Sequence, residues 1–290
     1  MQLSATVPCG GATEDMRAGI EWQKMARLQA WQTVAHLTAY QAKAASQRLE
    51  SLQAADVPFA EAVREEKWGG QSCLLEVMHD RNWRRTLVEE HGEDENGPAW
   101  LWRMGLTRLR FTSKRAVMVR FTRTMDEAIA SARLPYASKA LVSQTDDGSL
   151  PENLLPDYTK DYFDKTNKDT QDTLLLATMA LRAYKLDHGT YPAALSALSP
   201  IYLKSVPADP FAQSNPLRYK LTGDRYVLYS VGPDGRDDGG KAIDEYRGPC
   251  NHPSDTDGRP RISEDDKGDI LSTGFPKSYK PCKDTRFRGG

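Results

Sequence analysis

Between Asp224 and Asp269 the chain carries twelve carboxylates against seven bases, a local charge of −5, and sets them among glycines, as in Val231-Gly-Pro-Asp-Gly-Arg-Asp-Asp-Gly-Gly240. Carboxylates packed this closely repel one another, and glycine supplies no side chain to bury, so the segment lacks an internal source of order. A hard cation would provide one. Calcium accepts about six to eight oxygen ligands in flexible geometry, which suits such a loop better than zinc or a compact magnesium site. The spacing is not that of an EF-hand, and the alternative is a solvated acidic surface.

Other chemistry finds little support. The chain has no HExxH, no GxSxG, no phosphate-binding glycine loop and no dinucleotide fingerprint. His36, His79, His91, His188 and His252 are scattered, and the acidic pair Asp265-Asp266 has no sugar-binding setting around it. Cys9, Cys73, Cys250 and Cys282 form no CxxC pair, which excludes zinc-ribbon and thioredoxin patterns. Cys250 and Cys282 lie in a polar, Pro/Gly-rich tail where a thiol has little reason to be buried. A disulfide between them is the preferred reading and implies an oxidising compartment, with two unrelated thiols as the alternative.

The elements that must position these residues are helical first. The 290 residues suffice for two domains, with 39% hydrophobic and 27% charged residues and a net charge of −1. Apolar residues recur at three- and four-residue steps through 13–54, and a second helix is expected from Phe59 to about His79, weakened at Gly69-Gly70. A third helical segment, 99–132, has seven bases from Arg103 to Arg123 before its first acid, Asp126, interleaved with Trp and Phe. It reads as a core helix with a solvated basic face; a surface for anionic lipid or nucleic acid is the sharper alternative. Residues 134–157 have the Pro-rich composition of a linker. A long helix from about Tyr158 to Asp187 should end at His188-Gly189, and Leu217–Leu221 and Arg225–Ser230 alternate like strands of a hairpin around Thr222-Gly-Asp224. No apolar run reaches the ~20 residues of a membrane helix, and the first residues lack the pattern of a signal peptide.

A long helix ending in Tyr184-Lys-Leu-Asp-His-Gly-Thr-Tyr-Pro192, then Tyr202-Leu-Lys-Ser-Val-Pro-Ala-Asp-Pro-Phe211, then a hairpin into Leu228-Tyr-Ser-Val-Gly-Pro-Asp-Gly235, resembles the C-terminal domain of the type II secretion major pseudopilin over roughly 172–271. The resemblance implies a calcium loop, with Asp234 as the Gly-x-Asp-Gly ligand and Asp269 of Asp269-Ile270 closing it. Asp237 and Asp238 are further candidates, although this chain inserts Lys241 to Glu264, which the family pattern lacks. About 170 residues precede the corresponding helix, so the chain looks like a protein that uses the module rather than a filament subunit.

The expected architecture is therefore α+β: a helical domain over 1–133, a linker over 134–157, and over 158–290 a long helix packed on a small antiparallel sheet with a calcium-binding loop. The expected role is a non-catalytic, extracytoplasmic assembly or interaction protein of the cell envelope. Its partners would be other envelope or secretion proteins and not nucleic acid, and an anchor or leader would precede Met1. The alternatives are a calcium-dependent binding protein unrelated to secretion and an uncharacterised hydrolase.

Overall fold

The computed structural model describes residues 13–89, 112–136, 158–213, 215–243 and 262–272. They form a mostly helical α+β chain with one three-stranded antiparallel sheet. The helices are α1 (Thr13–Thr33), α2 (Ala39–Ala54), α3 (Phe59–Val77), α4 (Trp83–Glu89), α5 (Lys114–Ala132) and α6 (Thr159–His188), and the strands are β1 (Arg218–Thr222), β2 (Arg225–Ser230) and β3 (Ile270–Leu271). The chain divides into two compact units: Met1–Trp22, Asp56–Leu134 and Ser138–Tyr162 make the first, and Gln23–Ala55, Pro135–Ala137 and Phe163–Gly290 the second.

The helical run expected over 13–54 is two helices. After α1 a short 3-10 turn, Val34–His36, leads to Leu37 in extended conformation. Thr38 then starts α2 with a capping box: its hydroxyl accepts from Gln41 N while the Gln41 side chain accepts from Thr38 N. Two donors that the helix leaves without carbonyls are satisfied reciprocally, which makes a restart at Thr38 favourable.

The first unit is built on α3 and α5. Phe59, Val63 and Leu74 of α3 meet Val117, Phe121, Met125 and Ile129 of α5, with Trp83 and Leu87 of α4 completing the core. Gly70 is where α3 allows the closest approach, because a Cβ there would sit 2.4 Å from Phe121 Cζ. The second of the two glycines that weaken α3 locally thus makes room for an aromatic ring, while Gly69 faces open space. Lys67 Nζ bonds Asp126 Oδ1 at 2.6 Å, Gln71 Nε2 donates to Thr122 Oγ1 at 2.8 Å, and Lys114 Nζ donates to the Met78 carbonyl, so the two helices run antiparallel. Phe59 also stacks on Tyr162 with ring centroids 5.1 Å apart.

In the second unit the apolar residues of α6 from Leu174 to Ala183 are buried, and Gly189, at φ +79, ends the helix in the left-handed conformation its sequence position suggests. The turns of α6 just before this stretch bury charge instead. Arg27 bonds Asp172 at 2.7 Å with both side chains 7% exposed, and Lys168 lies 3.4 Å from the same carboxylate. β1 and β2 pair from Arg218↔Tyr229 to Thr222↔Arg225 around Gly223-Asp224, with Gly223 at φ +58, as a two-residue hairpin with glycine in its first central position requires. β3 adds to the other edge of β2 through Tyr229↔Leu271 and Ser230↔Ile270.

Removing one member of a buried ion pair leaves an uncompensated charge. Arg27→Ala should therefore destabilise the protein by about 3 kcal/mol, the low end of what such losses cost because Lys168 remains beside Asp172. Urea unfolding followed by circular dichroism measures the difference, and an unchanged midpoint would mean that the pair contributes nothing.

Candidate functional site

The segment Val206–Phe211 runs antiparallel to Asn215–Leu217, with Asp209 N donating to Asn215 O at 2.7 Å and Leu217 N to Pro207 O at 3.1 Å, and the Asp209 side chain anchors this crossing. Its side chain has no exposed surface. Phe211 N donates to Oδ1 at 3.0 Å, the two-residue-on bond that favours Asp before Pro in turns, and the hydroxyl of Ser230 donates to the same oxygen at 2.6 Å. Val231 N donates to Oδ2 at 2.9 Å. One carboxylate thus fastens the crossing to the end of β2, at the point where the strand enters the acidic loop. Burial raises its pKa above the ordinary 3.8, and the three donors offset only part of that cost.

Beyond Val231 the chain turns at Gly232 and Gly235, both at positive φ, with Gly235 N donating to Gly232 O. Gly232 has a second constraint, since a Cβ there would lie 2.3 Å from the Gly268 carbonyl oxygen. The four expected calcium ligands occupy distinct environments. Asp234 is exposed at the tip and accepts from Arg236 N at 3.1 Å. Asp237 accepts from Tyr229 Oη at 2.9 Å, from Gly239 N at 3.0 Å and from Arg218 Nε at 3.0 Å. Burial pulls its carboxyl upward, but these three donors together hold it below the usual carboxylate value. Asp238 is half-buried.

Asp269, 1% exposed, closes the loop with both side chain and main chain. Its carboxylate accepts from Gly240 N at 2.7 Å and Asp238 N at 3.3 Å, while its own N donates to Lys241 O at 2.8 Å. Burial foremost, with the neighbouring Asp237 and Asp238 charges adding, pushes its pKa up to about 6. The carboxylates of Asp237 and Asp238 are thus close enough to Asp269 to disfavour its charge. As side chains alone they make no finished cage: among the described residues no group of three or more His, Cys, Asp or Glu is arranged to hold a metal. Backbone N–H groups and Arg218 order the loop instead.

Sequence reasoning named the loop acids but missed Arg218, Tyr229 and Asp209 as their supports. Asp-Pro spacing was the signal for Asp209, whereas Arg218 and Tyr229 meet the loop only through β1–β2 pairing. Cys250 and Cys282 lie outside the described residues, as do Arg103, Arg108 and Arg110. Cys73 is an exposed thiol on α3.

At the end of α6, Asp187, His188 and Tyr202 lie together. Tyr202 Oη donates to Asp187 Oδ2 at 2.7 Å and is 3.5 Å from His188 Nδ1. The His188 ring stacks on Tyr184 at 4.1 Å. Tyr202 is buried and its pKa is pushed up to about 12, first by burial and then by its bond to Asp187, so the phenol is the reverse of an activated nucleophile. The group fastens the turn after the helix.

Comparison with protein-family models, with curated proteins and with solved structures finds no match to this chain.

Two outcomes follow for this site. Asp209→Ala leaves three buried donors without acceptors and should cost several kcal/mol, at about 1–3 kcal/mol for each unsatisfied group. Asp209→Asn keeps one acceptor oxygen and should cost less. Because folding raises the Asp209 pKa, its protonated form carries stability that is complete below pH about 3.8 and is lost as pH rises through the raised value. The advantage of wild type over Asp209→Asn in urea unfolding should therefore shrink between pH 4 and pH 7, and a widening gap would contradict this. Separately, Gly232→Ala meets both a carbonyl and a strained φ, whereas Gly235→Ala meets only the φ. The first should lower the melting temperature clearly more than the second, which should cost about 1–2 kcal/mol.

Proposed function

We propose that the protein is a non-catalytic, extracytoplasmic assembly or interaction part of the cell envelope, built around a pseudopilin-like C-terminal module. The observation that carries this reading is the sequence in which the second unit is tied together. α6 ends at Gly189, Tyr202 folds back onto Asp187, Asp209 pins the crossing to β2, and Asp269 closes the loop that β2 enters. Tyr202, Asp209 and Asp269 each make hydrogen bonds that tie segments of the unit together, which is the behaviour of a structural module. Among the described residues no helix is long and apolar enough to cross a membrane.

Calcium belongs to this reading. The loop offers oxygen donors only, and the electrostatic cost that Asp237 and Asp238 impose on Asp269 is one that a divalent cation would relieve. Asp234, at the exposed tip, and Asp238 are the carboxylates best placed to turn toward an ion, with loop carbonyls as further donors. Asp237 and Asp269 would have to share it with Arg218 and the backbone N–H groups they now accept from. A ligand bound only by the folded state stabilises by about 2.7 kcal/mol at a hundredfold excess over Kd.

Calorimetric titration of chelator-treated protein with calcium should give a binding heat, and calcium should raise the melting temperature. Asp234→Ala should remove most of that response, and Asp187→Ala, outside the loop, should not. Absence of both the heat and the thermal shift would leave the loop as a hydrogen-bonded acidic surface and withdraw calcium from the proposal.

A further inference from the structure

Asp237 is the loop carboxylate that two strands reach. Arg218 of β1 and Tyr229 of β2 are cross-strand partners, so their side chains stand on one face of the sheet. Arg218 Nε donates to Asp237 Oδ2 at 3.0 Å, while Tyr229 Oη and Gly239 N donate to Oδ1 at 2.9 and 3.0 Å. Both oxygens are thereby engaged. The turn that carries them rests on the same face, since a Cβ on Gly240 would stand 3.3 Å from Val227 Cγ1 and 3.6 Å from Tyr229 Cε1.

Arg236 and Lys241 are also cations of this loop, and both are exposed. Arg218 differs from them in coming from a strand, where pairing with β2 fixes its backbone, and its guanidinium stays charged at any working pH. That charge acts beyond the ion pair itself. Burial raises the pKa of Asp209 and of Tyr229, and the Arg218 charge draws each of them back in part. Burial pulls Asp237 upward as well, and there the donors from Gly239, Tyr229 and Arg218 overcome it.

We propose that Arg218 is a built-in counter-ion of the acidic loop: it holds Asp237 in the metal-free protein, competes with calcium for that carboxylate, and so sets the calcium affinity of the loop. This rests on calcium binding by the loop and adds a competitor to it. A carboxylate oxygen can accept from a guanidinium and still touch a metal. The Arg218 nitrogen, 3.0 Å from Oδ2, would then face a divalent ion held about 2.4 Å from the same oxygen, and like charges at that range oppose each other. Such competition is reciprocal, because whatever Arg218 takes from the calcium affinity, bound calcium takes from the Arg218 contact. A purely structural role for Arg218 has no such reciprocity.

The test is calorimetric titration of the full, chelator-treated chain with calcium, as wild type, Arg218→Gln and Arg218→Lys. Arg218→Gln is expected to bind at least about fivefold more tightly than wild type, the lower end of ordinary coupling between sites. Arg218→Lys keeps the charge and should stay near wild type. Melting temperatures read the same competition from the other side. In chelator Arg218→Gln should melt below wild type, because Asp237 has lost its counter-charge, and at saturating calcium the gap should narrow or reverse. Equal affinities of wild type and Arg218→Gln, equal tightening in Arg218→Lys, or a melting gap that calcium leaves unchanged would overturn the inference while calcium binding by the loop stands. Binding by Arg218→Gln alone supports it, with the wild-type loop closed by its own cation. Binding by none of the three proteins overturns both the competition and the calcium reading.

Discussion

A carboxylate without water must be given donors or a counter-charge, and the second unit is arranged around that requirement. Asp209, fully buried, collects a hydroxyl and two backbone N–H groups from two separate segments. Because one side chain satisfies all three, the crossing and the end of β2 are fixed together. Asp172 meets the same requirement through Arg27 and Lys168, and Asp269 through the N–H groups of Asp238 and Gly240. Asp161 of the first unit does so through Arg17. Each burial costs desolvation, and each is offset only by a specific partner, so these contacts select one register more than they add net stability.

The acidic loop is the place where that offset is incomplete. Hydrogen bonds hold its backbone, yet burial first, and the charges of Asp237 and Asp238 in addition, raise Asp269 to about 6. Arg218 neutralises part of this from the edge strand β1. A bound cation is the ordinary remedy for such residual repulsion, and it is the physical content of the calcium proposal.

The first unit follows a different logic, with an apolar core between α3 and α5 and little buried charge. Its Gly70 shows how a local helix weakness becomes a packing feature once Phe121 needs the space.

Much of this was legible in the chain itself. Gly189 after a periodic apolar stripe stops α6, and Thr222-Gly-Asp224 between alternating segments makes the hairpin, because local backbone preference and side-chain periodicity suffice for both. The break at Leu37-Thr38 was equally local, written in Thr38 and Gln41, but a continuous apolar period masked it. Tertiary structure alone decided the rest. Residues 23–55 group with 163–290, Arg27 finds Asp172, Tyr229 and Arg218 reach Asp237, and Asp269 caps two N–H groups some thirty residues earlier. These pairings join segments far apart in sequence, and no local propensity encodes which distant donor will face a buried acceptor.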